Sequence, residues 1–227
     1  MKLFRYGIVL ERLTYNDIEL VRGWRNADRV RLNMAYQKHI EPHEQIAWFK
    51  SINNAFNNYL IINYKGEKIG LLNDKNIHWE ERTSESGLFI GKPEHYATFV
   101  PLLVSVAGIQ ATFGVMGWNR QYARILKTNT RAIQFNKMLG YQLLKGQENV
   151  EHQLYEFTYE SFLRKAGKIN KAISAVTGND NSIKFLLEPA DFECGIGQKL
   201  ESALNNPNIP LKRYADSEGL WYEGCFD

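Results

Sequence analysis

The spacing of apolar and polar residues changes several times along the chain, and each change predicts a new element. Residues 7–13 alternate as a strand does, and three helices are predicted after them, at 14–25, 27–34 and 42–55. Thr14 is placed to cap the first helix, and Pro42 suits the first turn of the third. Beyond residue 58 the period shortens to two. Residues 59–64 and 69–72 therefore predict a hairpin around the turn at 65–68, and 85–91 a further strand.

The next part of the chain alternates strands with helices. A helix predicted at 98–113 separates the strand at 85–91 from one at 121–127, and a crossover helix of that length joins parallel strands. A shorter helix follows Asn129 and ends at Gly140, a residue suited to the left-handed conformation that closes helices. Residues 141–144 and 153–158 then pair as a closing element. The order predicts an α/β (α+β) fold, a mixed twisted sheet flanked by helices.

The tail of the chain has a different character. Residues 159–178 are predicted as one helix that extends away from the core and connects it to the last segment. After a turn around Asp180, a strand at 182–188, a helix at 192–205 and an aromatic end are predicted. We therefore predict a core at 1–158, a connecting helix at 159–178 and a small C-terminal α/β segment at 179–227. Large apolar side chains in this segment predict that it packs as a structured unit, and its role is open.

Composition narrows the class of protein. The chain has 227 residues, 44% of them hydrophobic, and a net charge of +3 with basic and acidic residues interspersed. We therefore expect one ordinary domain with an appendage, no nucleic-acid partner and no membrane partner. The longest apolar run, at 97–108, is too short to cross a bilayer. Cys194 and Cys225 lack the spacing of metal ligands or of a disulfide framework, so a reduced cytoplasmic protein is expected.

The histidines do not show the spacing that is typical of a metal site. His39, His78, His95 and His152 lack the mutual spacing of metal ligands, and no His-x-Glu or paired-cysteine motif accompanies them. We expect no metal site.

One motif carries a resemblance. Residues 129–141 read NTRAIQFNKMLGY after a predicted strand, with Asn-x-x-Ala at the start and Gly-aromatic at the end. This resembles the C-terminal half of the acetyl-CoA-binding core in the GNAT N-acetyltransferase superfamily. The resemblance implies that Asn129 leaves a splayed strand end and that the small Ala132 lets the CoA arm lie against the helix. The alternative is an ordinary strand-to-helix connection with an N-cap asparagine.

The same resemblance implies the other positions that bind acetyl-CoA. The backbone of Leu88, Phe89 and Ile90 would pair with the pantetheine arm as an added strand. In the family a glycine-rich loop follows this strand and binds the pyrophosphate through its amides. Here the corresponding segment, residues 93–101, has Tyr96 and Thr98 where the glycines would be, with Ala97 and Phe99 beside them as further CoA-binding positions. Because side chains hinder a close backbone approach, weaker CoA binding and an occluded site are both open.

An N-terminal pattern resembles one branch of the superfamily. Trp24-Arg25-Asn26, Arg31, Met34 and the later Trp-Phe pair are similar to residues in amino-sugar-nucleotide N-acetyltransferases and, more loosely, in ribosomal-protein N-terminal acetyltransferases. Arg25 and Arg31 could bind phosphates, since planar bidentate donors suit them.

By the same resemblance, Trp24 or Met34 could form an apolar wall for a base or a sugar ring. Gln45 stands where members of this branch commonly have a histidine. The alternative is that Trp24 belongs to the core and that both arginines pair with Asp28 or Glu19 at the surface.

Two positions bear on catalysis. Many GNAT enzymes hold a glutamate at the place of Glu85, where it accepts the proton of the amine through water. The alternative is a solvated glutamate at a strand end. Asn136 stands where many relatives have the tyrosine that protonates the leaving thiolate, and an asparagine donates a hydrogen bond but cannot act as a general acid.

The resemblance implies acetyl transfer from acetyl-CoA to a primary amine by direct attack on the thioester. The favoured acceptor is an amino-sugar nucleotide, and a protein N-terminus comes second. The altered loop and Asn136 keep a third hypothesis open, a GNAT-like binding or scaffold protein with impaired catalysis. The tail could form a homodimer or bind a protein partner.

Overall fold

The computed structural model describes residues 1–178 and 180–226. In this part of the chain eleven strands form one sheet, in the order β10-β11-β9-β1-β2-β3-β4-β5-β6-β8-β7. The strands are β1 (Lys2–Arg5), β2 (Ile8–Arg12), β3 (Asn58–Tyr64), β4 (Glu67–His78), β5 (Thr83–Ile90), β6 (Arg120–Leu126), β7 (Gln142–Leu143), β8 (His152–Phe157), β9 (Ser182–Leu187), β10 (Leu211–Ala215) and β11 (Leu220–Cys225). The predicted fold class is confirmed: the sheet is mixed and flanked by helices.

The helices lie between these strands on both faces of the sheet. They are α1 (Ile18–Asn26), α2 (Asp28–Arg31), α3 (Pro42–Ile52), α4 (Val100–Ile109), α5 (Thr130–Leu139), α6 (Tyr159–Thr177), α7 (Pro189–Glu193) and α8 (Ile196–Leu204). Single 3-10 turns stand at Tyr15–Asp17 and Pro93–His95, and a π-helical turn at Gln110–Val115 continues α4. In the described residues no helix is both long and apolar enough to span a membrane.

The crossover through α4 joins parallel strands, as predicted. β5 and β6 pair in parallel from Thr83 opposite Arg120 to Glu85 opposite Tyr122. Their other neighbours, β4 and β8, are antiparallel to them. The parallel contact is therefore short, and the two strands diverge beyond Glu85.

Buried side chains form two apolar clusters on opposite faces of the sheet. The smaller one packs α1 and α3 on the sheet and includes Val21, Trp24 and Leu71. The larger one includes Leu72 and residues of α4, α5, α6 and the tail. Because successive strand residues point to opposite faces, the neighbours Leu71 and Leu72 belong to different clusters.

Strand β1 was not predicted from the sequence. Residues 7–13 were predicted as one strand, but Lys2–Arg5 and Ile8–Arg12 form a hairpin around Tyr6 and Gly7. Both turn residues have positive φ, 55° and 69°. Such a two-residue turn favours Gly and Asn, so Tyr6 at its first position gave no turn signal.

Several helices differ from prediction. The stretch predicted at 27–34 is helical only at Asp28–Arg31, and the helix predicted at 98–113 begins at Val100. The helix predicted at 192–205 is divided, because Gly195 takes a left-handed conformation at φ 84°.

Helix α6 lies against the core, so the expectation that it extends away was wrong. Phe162, Ile169 and Ile173 are at most 5% exposed and belong to the larger cluster. Their spacing places them on one side of the helix, which packs as an amphipathic helix does.

The tail continues the same sheet. β9 pairs with β1, with Lys2 opposite Leu186, and β11 pairs with β9. Buried Arg5 fixes this junction, because it donates to the Ser182 carbonyl oxygen and to Gln110 Oε1, each at 2.5 Å. The division of the chain at residues 158 and 178 stays a prediction.

Candidate active site

The site begins where β5 and β6 part. Beyond Glu85, β5 keeps its pairing with β4 as far as Ile90 opposite Gly70, while its described pairing with β6 has ended. The backbone of residues 86–90 therefore presents free hydrogen-bonding groups toward the opening. An extended chain placed there would be bound as an added strand.

A cavity of about 1030 Å³ occupies the opening. It is lined by both faces of the sheet, by the α1–α3 region, by the loop before α4 and by α5. The structure brings most of the predicted site residues to it: Arg25, Met34, Gln45, Glu85, Leu88, Phe89, Ile90, Tyr96, Ala97, Thr98, Asn129, Ala132 and Asn136.

Trp24 and Asn26 lie outside the cavity lining. Trp24 is buried with its ring edge-on to Phe89, at 6.4 Å between centroids. Asn26 ties α1 to a later loop, because its amide donates to the Ile40 carbonyl oxygen at 3.0 Å and accepts from the Ile40 N–H at 2.8 Å. Their assignment to acceptor binding stays a prediction.

Arg31 and Phe99 also lie outside it. Arg31 donates to the Gln37 carbonyl oxygen at 2.7 Å and pairs with Asp28 at 2.6 Å, and the ring of Phe99 is exposed. The pairing of Arg31 with Asp28 is the alternative that the sequence left open for this residue. Its role in phosphate binding, like that of Phe99 in CoA binding, stays a prediction.

The start of α5 forms one wall. Asn129 caps this helix, since its Oδ1 accepts the Ala132 N–H at 3.1 Å, and both residues also line the cavity. Asn136 Nδ2 donates to the Ala132 carbonyl oxygen at 2.8 Å. Capping and cavity lining are thus compatible at Asn129.

The loop before α4 forms the opposite wall. The Tyr96 ring is exposed and packs beneath Arg131 of α5. Thr98 Oγ1 accepts the Val100 N–H at 3.2 Å, which engages one of the amides at the helix start. Fewer backbone donors are therefore free here than in a loop of glycines.

Three carboxylates line the cavity: Glu44 of α3, and Glu85 and Asp74, which stand on opposite faces of the sheet. Glu85 faces the side of α1 and α3, where it pairs with Lys75 at 2.9 Å and lies 3.9 Å from Arg124. Asp74 faces the side of α4 and α5, and its Oδ1 accepts from Ser84 Oγ at 3.2 Å and Gln121 Nε2 at 2.5 Å.

Burial raises the pKa of Asp74 to about 6, although both hydrogen bonds act in the other direction. Asp74 was not predicted as a site residue, because the strand was predicted to end at residue 72, whereas β4 continues to His78. A carboxyl group in a cavity whose pKa is shifted by burial is a common feature of active sites.

Two buried hydrogen-bond donors on the α1–α3 side of the cavity have no partner among the described residues. Among the described residues, Arg25 Nε and Gln45 Nε2 are buried with no hydrogen-bond acceptor, and Gln45 is only 2% exposed. Both line the cavity. Unsatisfied buried donors are rare in proteins, so a ligand that supplies acceptor atoms would stabilise this wall.

One further cluster lies apart from these groups. Glu67, Glu94 and His95 place ligand atoms within 4.8 Å of one another, but Glu67 already pairs with Lys92. Exposed acidic groups of this kind occur without an ion, so we assign no metal to them.

Comparisons with known proteins identify the class. The sequence pattern of a family described as Acetyltransferase (GNAT) domain matches residues 8–142, more than half of the chain. The chain belongs to this family. It is an acetyl-CoA-dependent N-acetyltransferase, and acetyl-CoA is its co-substrate.

Solved structures share the fold. A domain from Methanocaldococcus jannaschii DSM 2661 is 24% identical, with a TM-score of 0.58 over 66% of this chain and 97% of that one. Apo FdhC, a nucleotide-linked sugar GNAT, is 23% identical, with a TM-score of 0.61 over 76% and 97%. Spermidine N-acetyltransferase from Vibrio cholerae, solved with CoA and spermine, is 16% identical, with a TM-score of 0.58 over 70% and 99%. A search of curated protein sequences found no match.

The residues present suit acetyl-CoA. The free backbone edge at Leu88–Ile90 would hold the pantetheine arm, and the N-termini of α4 and α5 face the cavity where phosphates would bind. Bound acetyl-CoA supplies an activated thioester. Residues of the chain would then position an amine against it, accept protons from the nitrogen and give one to the sulfur.

Proposed function

We propose that the protein acetylates the primary amine of an amino-sugar nucleotide. The observation that carries this proposal is the pair of buried, unpaired donors, Arg25 Nε and Gln45 Nε2, on the wall of a cavity that also contains Glu85. An acceptor for this wall carries an amine at one end and anionic or oxygen-rich groups at the other. Nucleotide-linked amino sugars meet both requirements.

Arg25 sets the charge that the acceptor must have. Burial lowers the pKa of this guanidinium, which nevertheless remains charged at neutral pH because the pKa of arginine normally lies far above neutrality. Its described hydrogen bond is a long one, 3.5 Å from Nη2 to the Tyr36 carbonyl oxygen. A phosphate oxygen would supply the strong charge-assisted bond that this group lacks. A polyamine would instead place a second cation beside it.

Aromatic rings favour a planar or cyclic group next to these donors. Trp48 lines the cavity and packs edge-on against Tyr59, at 5.1 Å between centroids. Tyr36 and Met34 line the same region. Rings of this kind bind the faces of sugars and bases.

Glu85 is the proposed proton acceptor for the amine. Its pairing with Lys75 holds the carboxylate at the end of the parallel contact, where the strands begin to part. The amine loses a proton to Glu85 through water and then attacks the thioester carbonyl carbon.

A panel of acceptors tests the proposal. Acetyl transfer is measured with a nucleotide-linked amino sugar, the same sugar without its nucleotide, spermidine and a peptide with a free N-terminus. We expect turnover of the nucleotide-linked sugar with a KM at least tenfold lower than that of the free sugar. Equal KM values for the two sugars, or a preference for spermidine or the peptide, would overturn it.

Variants locate the binding groups. Arg25→Met should raise the KM of the nucleotide-linked sugar at least tenfold with little change in kcat, and leave the free sugar unaffected. Arg31→Met tests the second predicted phosphate ligand in the same way. Arg164→Met is the matched control, since this exposed arginine pairs with Glu160 on α6.

Two broader expectations remain predictions. We expect the protein in the cytoplasm, where Cys194 and Cys225, both free thiols, stay reduced. The tail as a surface for a second copy or a protein partner also stays a prediction.

A further inference from the structure

Glu85 and Asp74, the two carboxylates that β4 and β5 contribute to the cavity, stand on opposite faces of the sheet, and this separation gives them different roles. Glu85 shares its face with Lys75 and Arg124. Asp74 shares the other face with Ser84 and Gln121. Strand alternation makes this division unavoidable, because Asp74 is opposite Ser86, the neighbour of Glu85. A molecule that passes through the opening therefore meets one carboxylate on each side.

If acetyl-CoA lies against α5 as predicted, it enters from the face of Asp74. Asn129, Ala132 and Asn136 line the cavity from α5 on this side, and Ala132 packs on the larger apolar cluster. Tyr141 follows α5 directly, and its N–H donates to the Asn136 carbonyl oxygen at 3.0 Å. The Tyr141 hydroxyl donates to Gln121 Oε1 at 2.9 Å, and Gln121 in turn donates to Asp74. A chain of hydrogen bonds thus links the region of Asn136 to Asp74.

This chain fixes the orientation of the Asp74 carboxyl. The Gln121 amide accepts from Tyr141 through Oε1 and donates to Asp74 through Nε2, so its nitrogen faces Asp74. Both described bonds to Asp74 end on Oδ1. Within residues 1–178 and 180–226 no hydrogen bond engages Oδ2, and the residue lines the cavity. Oδ2 is therefore the atom of this group that can hold a proton and present it to a ligand.

We propose that Asp74 is the catalytic residue that gives a proton to the departing CoA sulfur. It takes over the part for which Asn136 has no acidic proton. In the step, the neutral amine nitrogen bonds to the acetyl carbon, the carbon–sulfur bond breaks, and the nitrogen releases its surplus proton to water. The sulfur takes the proton of Asp74 Oδ2 to give the thiol, and Asp74 is left as a carboxylate that regains a proton from water.

Tyr141 and Gln121, which lie on the same face as Asp74, are less suited to give a proton to the sulfur. The Tyr141 hydroxyl is committed to Gln121, and burial raises its pKa. Tyr141 and Gln121 act on the carboxyl through hydrogen bonds and are positioning residues. Burial also brings the pKa of Asp74 to about 6, so a protonated fraction persists near neutral pH.

The inference rests on acetyl transfer and not on the choice of acceptor. Its first test needs no amine. The thiolate absorbance of CoA bound to the protein is titrated in wild type and in Asp74→Asn. An ionised Asp74 next to the sulfur disfavours the thiolate, so Asp74→Asn should raise the acid dissociation constant of the bound thiol about tenfold or more.

Among the described residues, few titratable or charged groups lie near Asp74, so a change in this titration can be assigned to its carboxyl. Tyr141 is the titratable side chain linked to Asp74 through Gln121, and Lys75, Glu85 and Arg124 lie across the sheet. Glu160→Gln, which removes an exposed negative charge from α6, is the matched control and should leave the titration unchanged. An unchanged thiol in Asp74→Asn would overturn the inference.

The second test compares leaving groups. Asp74→Asn should lower kcat with acetyl-CoA by about 10²-fold or more, the usual contribution of a general acid. With the acetyl thioester of 4-nitrothiophenol, whose thiolate leaves without a proton, it should lower kcat less than threefold. Equal losses with both donors would assign Asp74 a structural role or a role toward the amine, and no loss with either would exclude it.

Rescue separates catalysis from packing. Asn136→Tyr should restore part of the acetyl-CoA reaction in the Asp74→Asn background, because it returns an acidic hydroxyl to α5. Affinity for CoA should be equal in all these variants, which shows that they are folded. Tyr141→Phe should change the thiol titration in the same direction as Asp74→Asn but by less.

Discussion

Arg131 lies over the ring of Tyr96, with its guanidinium carbon 3.9 Å from the ring centroid and its Nη2 donating at 2.7 Å to the Tyr96 carbonyl oxygen. This contact joins the start of α5 to the loop before α4 across the mouth of the cavity. It brings a cation to the loop that is predicted to stand where the glycine-rich loop of the family binds a pyrophosphate. CoA phosphates that enter here would compete with the Tyr96 carbonyl for Arg131.

Replacing Arg131 should weaken CoA binding through the phosphates. A hydrogen bond to a charged group contributes about 1.5–3 kcal/mol, so Arg131→Gln should raise the Kd of CoA about 10–100-fold. Calorimetry with CoA and with pantetheine, which lacks the phosphates, checks this. Pantetheine should bind both proteins equally. A similar loss for both ligands would show that the contact with Tyr96 only shapes the loop.

Restoring glycines to the loop should strengthen CoA binding. Tyr96→Gly removes the ring under Arg131, and Thr98→Gly releases the Val100 amide that Thr98 Oγ1 now engages. The double variant should lower the Kd of CoA about tenfold, since one or two additional backbone donors become available. Calorimetry is again the measurement, with urea unfolding as the check on the entropic effect of two glycines. Weaker binding at unchanged stability would indicate that Tyr96 itself contacts CoA.

Asp74 should reduce stability at neutral pH. Its pKa is about 6 in the folded protein and near 3.8 when unfolded, so the folded state binds more protons between these values. The free energy of unfolding therefore falls as the pH rises through this window and stays lower above it. Asp74→Asn should stabilise the protein by at most about 3 kcal/mol at pH 7 and have little effect below pH 4. Urea unfolding across this range measures it.

Asp17 provides a control of opposite sign. Burial pushes the pKa of Asp17 upward, but hydrogen bonds from Lys68 and Thr14 more than reverse this and leave it lowered. Its stabilising contribution is present above the unfolded value and is lost as the pH falls through the folded one. Asp17→Asn should therefore destabilise the protein at neutral pH. The same sign for both variants would contradict the assignment.

Gly91 and Trp24 should behave as one packing unit. A Cβ on Gly91 would overlap the Trp24 ring, so Gly91→Ala should destabilise the protein by about 1–3 kcal/mol. Trp24→Phe in the same background should recover part of the loss, a coupling that a double-mutant cycle measures. A change in acceptor KM at unchanged stability would instead support the predicted role of Trp24 in the acceptor site.

The sequence by itself determined the order of most helices and strands and the turn that positions α5. Asn129 was predicted at the start of that helix and Gly140 at its end. Asn129 does cap it, and Gly140 is left-handed at φ 118°. The parallel pairing of β5 and β6 also followed from the length of the connection between them. These features depend on neighbours close in the chain, so local periodicity and turn chemistry suffice to predict them.

Only the tertiary structure decided which side chains share the cavity. Arg25 and Arg31 fit the same sequence pattern, yet Arg25 lines the cavity and Arg31 pairs with Asp28. Asp74 was recognised as a cavity residue only from the structure, in which β4 extends past its predicted end and places this carboxyl opposite Ser86. The pairing of Lys2 with Leu186 joins segments far apart in the chain. A local pattern shows that a side chain is buried, but the partner that buries it is chosen by contacts distant in sequence.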